Sequence, residues 1–450
     1  MTYFRRPHRW LRITLTVLLL LAAPYAGWRG WMRYCVVRAL DQIRSEGLPA
    51  TVAEFEEMHA RPIPAINAAD LYLQACLSLK DCEEPLAQDV PFLGEAQLPP
   101  LGVILSDRMR YAIGEYLTQN KETIRLLHEG SMISECVFDI SAPEFVNFYR
   151  KFSEVLHLLD LEAILQVEEK RFTQALATCR AKLALIRSMN EIPFGIYQTV
   201  RMVGQELTVD LGERLLNSSG SDDLMLTELK RFGRDSYDEN AVHNAIIYER
   251  CHVSDAFSGS AVDYSKILSK SGPYLLAIWT IRLAKITGQW DQCHVDFLSL
   301  LREYEKSYQV PFPDRLRNFN ALRLRHQDMS AKWLRVPATN PAAWYLPSGL
   351  SSQVSHEASV LARMNALDTS LALERYRNAR HLLPERLEDL QPTFMDHIPL
   401  DPFTGRPLLY RRLDPGYIVY SVGRNGRDDG GREDDDADPP LDDVGFTVRR

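Results

Sequence analysis

The chain has no pair of cysteines at a metal-gripping spacing, no excess of basic charge and only one long apolar run. Each lack excludes something. The seven cysteines (Cys35, Cys76, Cys82, Cys136, Cys179, Cys251 and Cys293) include no CxxC pair, so neither a zinc site nor a thioredoxin-type redox centre is indicated. Cys76 and Cys82 are close enough in sequence to bridge in an oxidising compartment. The others read as buried small hydrophobes. The net charge of −8 argues against a nucleic-acid partner, which needs a basic face. HExxH, GxSxG, Walker A and GxGxxG sequences are all absent, so no catalytic signature is legible. The histidines are scattered. His243 and His252 flank Glu249 on one expected helix, but spacings of six and three bring only Glu249 and His252 onto one face. Glu249-Arg250 reads as an internal ion pair or packing pair. His356-Glu357, at a helix start, reads as solvent-facing. No catalytic residue is assigned.

The one long apolar run lies at the N-terminus. Arg5, Arg6, His8, Arg9 and Arg12 precede Ile13 to Ala23, and Trp10, Tyr25, Trp28 and Trp31 flank it as interfacial aromatics do. The fully apolar part is short for a span, which needs roughly 20 residues. It fits a short anchor or the core of a signal peptide. Cleavage after Ala23 or Ala26 would put Leu21 or Pro24 at the third position before the cut, so an uncleaved anchor is favoured. Basic residues before the span place the N-terminus in the cytoplasm and the remaining chain outside it. The expected location is the inner (cytoplasmic) membrane, single-pass.

After residue 35 the pattern is helical. At 450 residues, 46% hydrophobic and 25% charged, the chain has room for two or three domains. Gly47 stops the first helix, Thr51 caps a second and Asn67 opens a third. Pro85 to Pro100 reads as a loop. Phe145, Phe148, Phe152, Val155 and Leu159 start a long helix, and Glu169 to Ala177 resembles the turn and second-helix start of a tetratricopeptide-type repeat. No clean period of about 34 residues follows. Tyr274 to Thr287 reads as a core helix, Ser258 to Gly272 as a loop, and the prolines at 311, 313, 337, 341 and 347 as an irregular stretch. The expected architecture is mainly α: an anchor (1–35), an irregular helical bundle or α-solenoid (36–350), and a small α+β module (351–450).

The module carries the specific signal. A long helix from about Ser352 to Arg380 leads to Pro384, which suits the first turn of a short helix with Leu387 and Leu390. Pro399, Asp401, Pro402 and Gly405 form a turn, Leu408 to Tyr410 a strand, Asp414-Pro415-Gly416 a turn and Tyr417 to Val422 the returning strand. Gly423, Gly430 and Gly431 follow, inside an acidic run. That run holds nine acids from Asp428 to Asp443 against Arg427 and Arg432, seven of the net eight negative charges.

In this order the residues resemble the globular end of the major pseudopilin of type II secretion systems. The resemblance covers roughly the final fifth of the chain. It implies a glycine-rich acidic loop that binds calcium. Asn425 stands at the family's first loop aspartate, Asp428 or Asp429 follows, and Asp442 and Asp443 stand at its later aspartate. The bland reading of the same run is a solvated loop. Two departures limit the resemblance. The prepilin-peptidase arrangement is missing from the N-terminus, and over 300 residues separate the anchor from the module. The favoured function is therefore non-enzymatic: a membrane-anchored interaction or assembly scaffold with protein partners. The alternatives are a hydrolase-type enzyme with its site in the helical domain, or a secretion-system-associated component.

Overall fold

Helix ends fall where the sequence supplies caps and stops. The structure, a computed structural model, describes residues 7–140, 145–259, 282–333, 347–434 and 441–450. It is mainly helical, with a small antiparallel sheet near the C-terminus. Helix α1 runs unbroken over Pro7–Ser45 and ends before Gly47 at φ +75°. The Thr51 hydroxyl accepts the Glu54 amide at 3.2 Å and starts α2, Val52–His59. Asn67 caps α3, Ala68–Ser78, through the Ala69 amide. Each cap satisfies an amide that a helix start leaves unpaired.

The chain forms two compact units, each discontinuous in sequence. The first comprises Met1–Ala60, Ile246–Gln309 and Asn318–Leu350. There the C-terminal half of α1 packs on a later helix, Gln289–Tyr308. Its core includes Ile43, Ala50 and Leu298. Arg250 lies buried against the Glu305 carboxylate. The expected core helix at 274–287 is described only from residue 282. Leu283 and Ile286 in it are each 59% exposed, so this part is surface rather than core.

The second unit comprises Arg61–Ala245, Val310–Arg317 and Ser351–Arg450. Helices α4 (Asp107–Gln119), α5 (Lys121–Ser131), α6 (Tyr149–Glu168), α7 (Phe172–Ser188) and α8 (Gly195–Ser219) supply most of its core. Helices α6 and α7 join through a tight turn with Lys170 at φ +59° and pack on each other, as the Glu169 to Ala177 pattern predicts. A long helix, Pro347–Arg380, leads into the sheet.

That sheet has three strands, not the hairpin expected. Strand β1 (Leu409–Arg412) pairs with β2 (Tyr417–Ser421), and β2 with a further strand at Val444–Val448. The central strand is wholly buried. The Tyr417 hydroxyl donates to the Ser370 carbonyl at 3.1 Å, tying the sheet to the long helix. The proline-led segment also differs. Its single 3₁₀ turn starts at Leu387, and the Pro384 carbonyl instead accepts the Tyr410 hydroxyl at 3.1 Å.

Cys76 and Cys82 are not bridged. Burial pushes the Cys76 thiol up to about 12, which leaves it unreactive. Glu357 is 0% exposed, not solvent-facing. The Tyr237 hydroxyl and the Arg315 guanidinium, 3.4 Å away, supply its partners. His356 meets Glu206 at 2.9 Å.

Candidate functional site

The turn residues of the C-terminal motif build a frame for the acidic loop. The buried Asp401 carboxylate accepts the Ser421 hydroxyl at 2.9 Å and the Phe403 amide at 2.8 Å through one oxygen, and the Val422 amide at 3.3 Å through the other. The Ser421 oxygen in turn accepts the Gly423 amide. This network pins the loop's entry to the turn at 399–405. Gly423 sits at φ +61°, and a Cβ there would lie 1.6 Å from the Asp442 carbonyl oxygen. Only glycine allows so close an approach.

The structure brings all five expected metal ligands into this loop. Asp442 Oδ2 accepts the amides of Arg424 and Asn425, at 2.6 and 3.0 Å. Asp429 Oδ2 accepts the Asn425 side-chain amide at 2.7 Å and the Asp442 amide at 3.1 Å. Asp428 Oδ1 accepts the Gly430 amide and the Tyr420 hydroxyl, both at 3.0 Å. Asp443 Oδ2 accepts the Gly431 amide at 2.7 Å. Each carboxylate is thus held by one oxygen. Among the described residues the second oxygen of each makes no hydrogen bond. For Asp443, 1% exposed, that oxygen is buried and unsatisfied. Burial, with the charges of Asp429 and Asp428 adding to it, raises the Asp443 carboxyl to about 6. A buried acceptor without a donor costs free energy until a proton or cation meets it. Even so, no three His, Cys, Asp or Glu side chains among the described residues are gathered as a metal set. Asp435, Asp436 and Asp438 lie outside the described residues.

A second site, missed by sequence reasoning, lies within the same unit. Helix α8 presents Leu207, Asp210, Leu211 and Arg214 at helical spacing to a cleft of about 340 Å³. Asp160 of α6, Arg363 of the long helix and the loop around Pro99 complete its walls. Arg363 is paired with Asp210, whose carboxyl burial raises and Arg363 lowers. Burial, with the Asp210 charge adding to it, pushes Glu213 up to about 8. Glu213 also accepts the Thr447 amide. Asp160 pairs with the buried Lys182, and its other oxygen, 3.8 Å from His157 Nδ1, makes no hydrogen bond among the described residues. A protonated acid beside an arginine-held carboxylate is the kind of pair that acid–base chemistry uses. One sequence signal was available: Asp160 interrupts a stretch from Leu158 to Ile164 that is otherwise almost all apolar.

Glu249 feels the charge of His252, but Arg250 does not join them. Arg250 faces Glu305 inside the first unit's core, whereas His252 is exposed and stacks on Tyr248 at 6.3 Å. Comparison with known proteins returns no match to any protein-family model, curated protein or solved structure.

Proposed function

We propose that this chain is a membrane-anchored scaffold: α1 crosses the bilayer, the folded part lies outside the cytoplasm, and the acidic loop takes calcium. The observation that carries the reading is the state of α1. Its apolar window is long enough to cross a membrane and none of it is buried. The same helix runs without a break into the folded unit, where Arg29 meets Asp291 at 2.5 Å. A helix with apolar residues all round and no protein cover fits lipid as its solvent. Several apolar side chains of the second unit, including Ile66, Leu77, Ile104 and Met132, are more than 70% exposed, apolar surface that a protein partner would cover. In the loop, Asn425, Asp428, Asp429, Asp442 and Asp443 would hold the ion. Calcium takes six to eight oxygens, and among the described residues each of these aspartates keeps one oxygen without a hydrogen bond.

Copurification from solubilised membranes tests the scaffold role. A stable protein partner is the expected outcome. The absence of any partner together with measurable hydrolase activity contradicts it. The 340 Å³ cleft favours a second reading, a hydrolase-type enzyme with Glu213 as proton donor. Glu213→Gln would then abolish hydrolysis while leaving the fold intact.

A further inference from the structure

We infer that the cleft on α8 binds a zwitterion with an apolar body, an apolar α-amino acid, with its ammonium against Asp210 and Asp160 and its carboxylate against Arg214 and Glu213. The inference is independent of the anchor and calcium readings. It takes the cleft of the hydrolase reading as a binding site, whether or not that site hydrolyses anything.

Two unlike ends share the cleft. Asp210 and Arg214 stand one turn apart on α8, so their side chains lie within reach of one small molecule. Asp210 gives one oxygen to Arg363. Its other oxygen makes no hydrogen bond among the described residues, and 38% of its side chain stays open. Asp160, on α6, is close enough for its charge to act on Asp210. It is 1% exposed, and its Oδ2, 3.8 Å from His157 Nδ1, lacks a donor. A buried acceptor of this kind costs free energy until a donor reaches it. An ammonium carries three N–H groups, enough for both aspartates.

The other end supplies donors. Arg214 donates through Nη2 to the Pro99 carbonyl at 2.9 Å and makes no ion pair among the described residues. Glu213, its neighbour in sequence, turns to the Thr447 amide instead. The two groups stay unpaired side by side. Burial moves both toward their neutral forms, Arg214 downward and Glu213 up to about 8. Glu213 therefore holds its proton at pH 7. A guanidinium and a carboxylic O–H both donate, and a ligand carboxylate accepts from both.

The remaining lining suits an apolar side chain. Leu98, Leu101, Ile164, Leu207 and Leu211 supply it. Phe92 joins them at φ +69°, a backbone conformation that a bulky residue rarely adopts, with its ring stacked on His157 at 4.9 Å. Strain of this kind persists where the surroundings hold a side chain in place. A cleft of about 340 Å³ is of small-ligand size.

The test is calorimetric titration of the full, detergent-solubilised chain with L-leucine and L-phenylalanine. Leucinamide, which lacks the carboxylate, and isocaproate, which lacks the amine, are titrated beside them. At least one amino acid is expected to bind saturably, one per chain, and each single-ended analogue about ten-fold more weakly, because each loses charge-assisted hydrogen bonds. Arg214→Gln should weaken the amino acid about ten-fold and leave leucinamide unchanged, and Arg214→Lys should restore part of the loss. A misfolded variant would lose leucinamide as well, so that arm separates recognition from folding. Glu213 is faced by Asp210, Arg214, Arg363 and the Thr447 amide. Its ionisation should lower wild-type affinity as pH rises through about 8. Glu213→Gln, still a donor, should bind at pH 7 and lack that fall. No binding of either amino acid at millimolar concentration, equal binding of a single-ended analogue, or an unaffected Arg214→Gln overturns the site. Amino-acid binding by a chain without hydrolase activity supports the site and removes the hydrolase reading alone.

Discussion

Asp443 is the residue on which the loop turns. Its carboxyl is raised from about 3.9 in the unfolded chain to about 6 in the fold. Below pH ~4 both states hold the proton. Between ~4 and ~6 the unfolded chain releases it and the folded chain keeps it, so stability falls as pH rises through that window. Without calcium, denaturant unfolding should show this decline, and Asp443→Asn should flatten it. Glu213, raised to about 8, works the same way over a wider range. Its unfolded value is about 4.3, so stability should keep falling from there toward pH 8, and Glu213→Gln should remove that fall. Neither shift was legible in sequence. The acids themselves were visible at 428–443, but the burial of Asp443 comes from the third strand. Glu357 teaches the same point: its partners Tyr237 and Arg315 lie 120 and 42 positions away, so a helix-start position alone read as exposed.

At the scale of elements, buried ion pairs tie helices together. Lys182 on α7 and Asp160 on α6 are 0% and 1% exposed. Lys182→Met should cost about 3–5 kcal/mol by urea unfolding, because it strands a buried carboxylate. Adding Asp160→Leu should recover most of that loss. The acidic loop gives a second prediction. If it takes calcium, millimolar calcium should raise the melting temperature of the full chain, by about 2.7 kcal/mol of stability at a hundredfold excess over Kd. Asp443→Asn should cancel the rise, and an unchanged wild-type melting curve would leave the loop a solvated turn. Sequence located these elements well where local chemistry sets them. Thr51, Asn67 and Gly47 mark helix ends in sequence and in structure. It missed the strand at Val444–Val448, where Gly445 interrupts a short segment and pairing with the buried Tyr417–Ser421 strand supplies the order. Pro384 was misplaced because its local preference for a helix start yields to the bond with Tyr410.

For the whole molecule, the sequence offered an anchor, a helical middle and a C-terminal module in order along the chain. The structure gathers residues otherwise: residues 351–450 share one unit with 61–245, and α1 shares the other with 246–309. Such pairings between distant segments leave no periodic trace. The cleft lined by Asp160, Glu213 and Arg363 was hidden for the same reason. The long apolar N-terminal helix was legible because its signal is local: a charge cluster, an apolar run and flanking aromatics. The central claim, that the folded part lies outside the cytoplasm behind a spanning α1, is tested most directly by paired C-terminal fusions of the full chain. One reporter is a phosphatase active only outside the cytoplasm; the other is a fluorescent protein that is dark there. The account predicts an active phosphatase and no fluorescence. Bright fluorescence with an inactive phosphatase would contradict it.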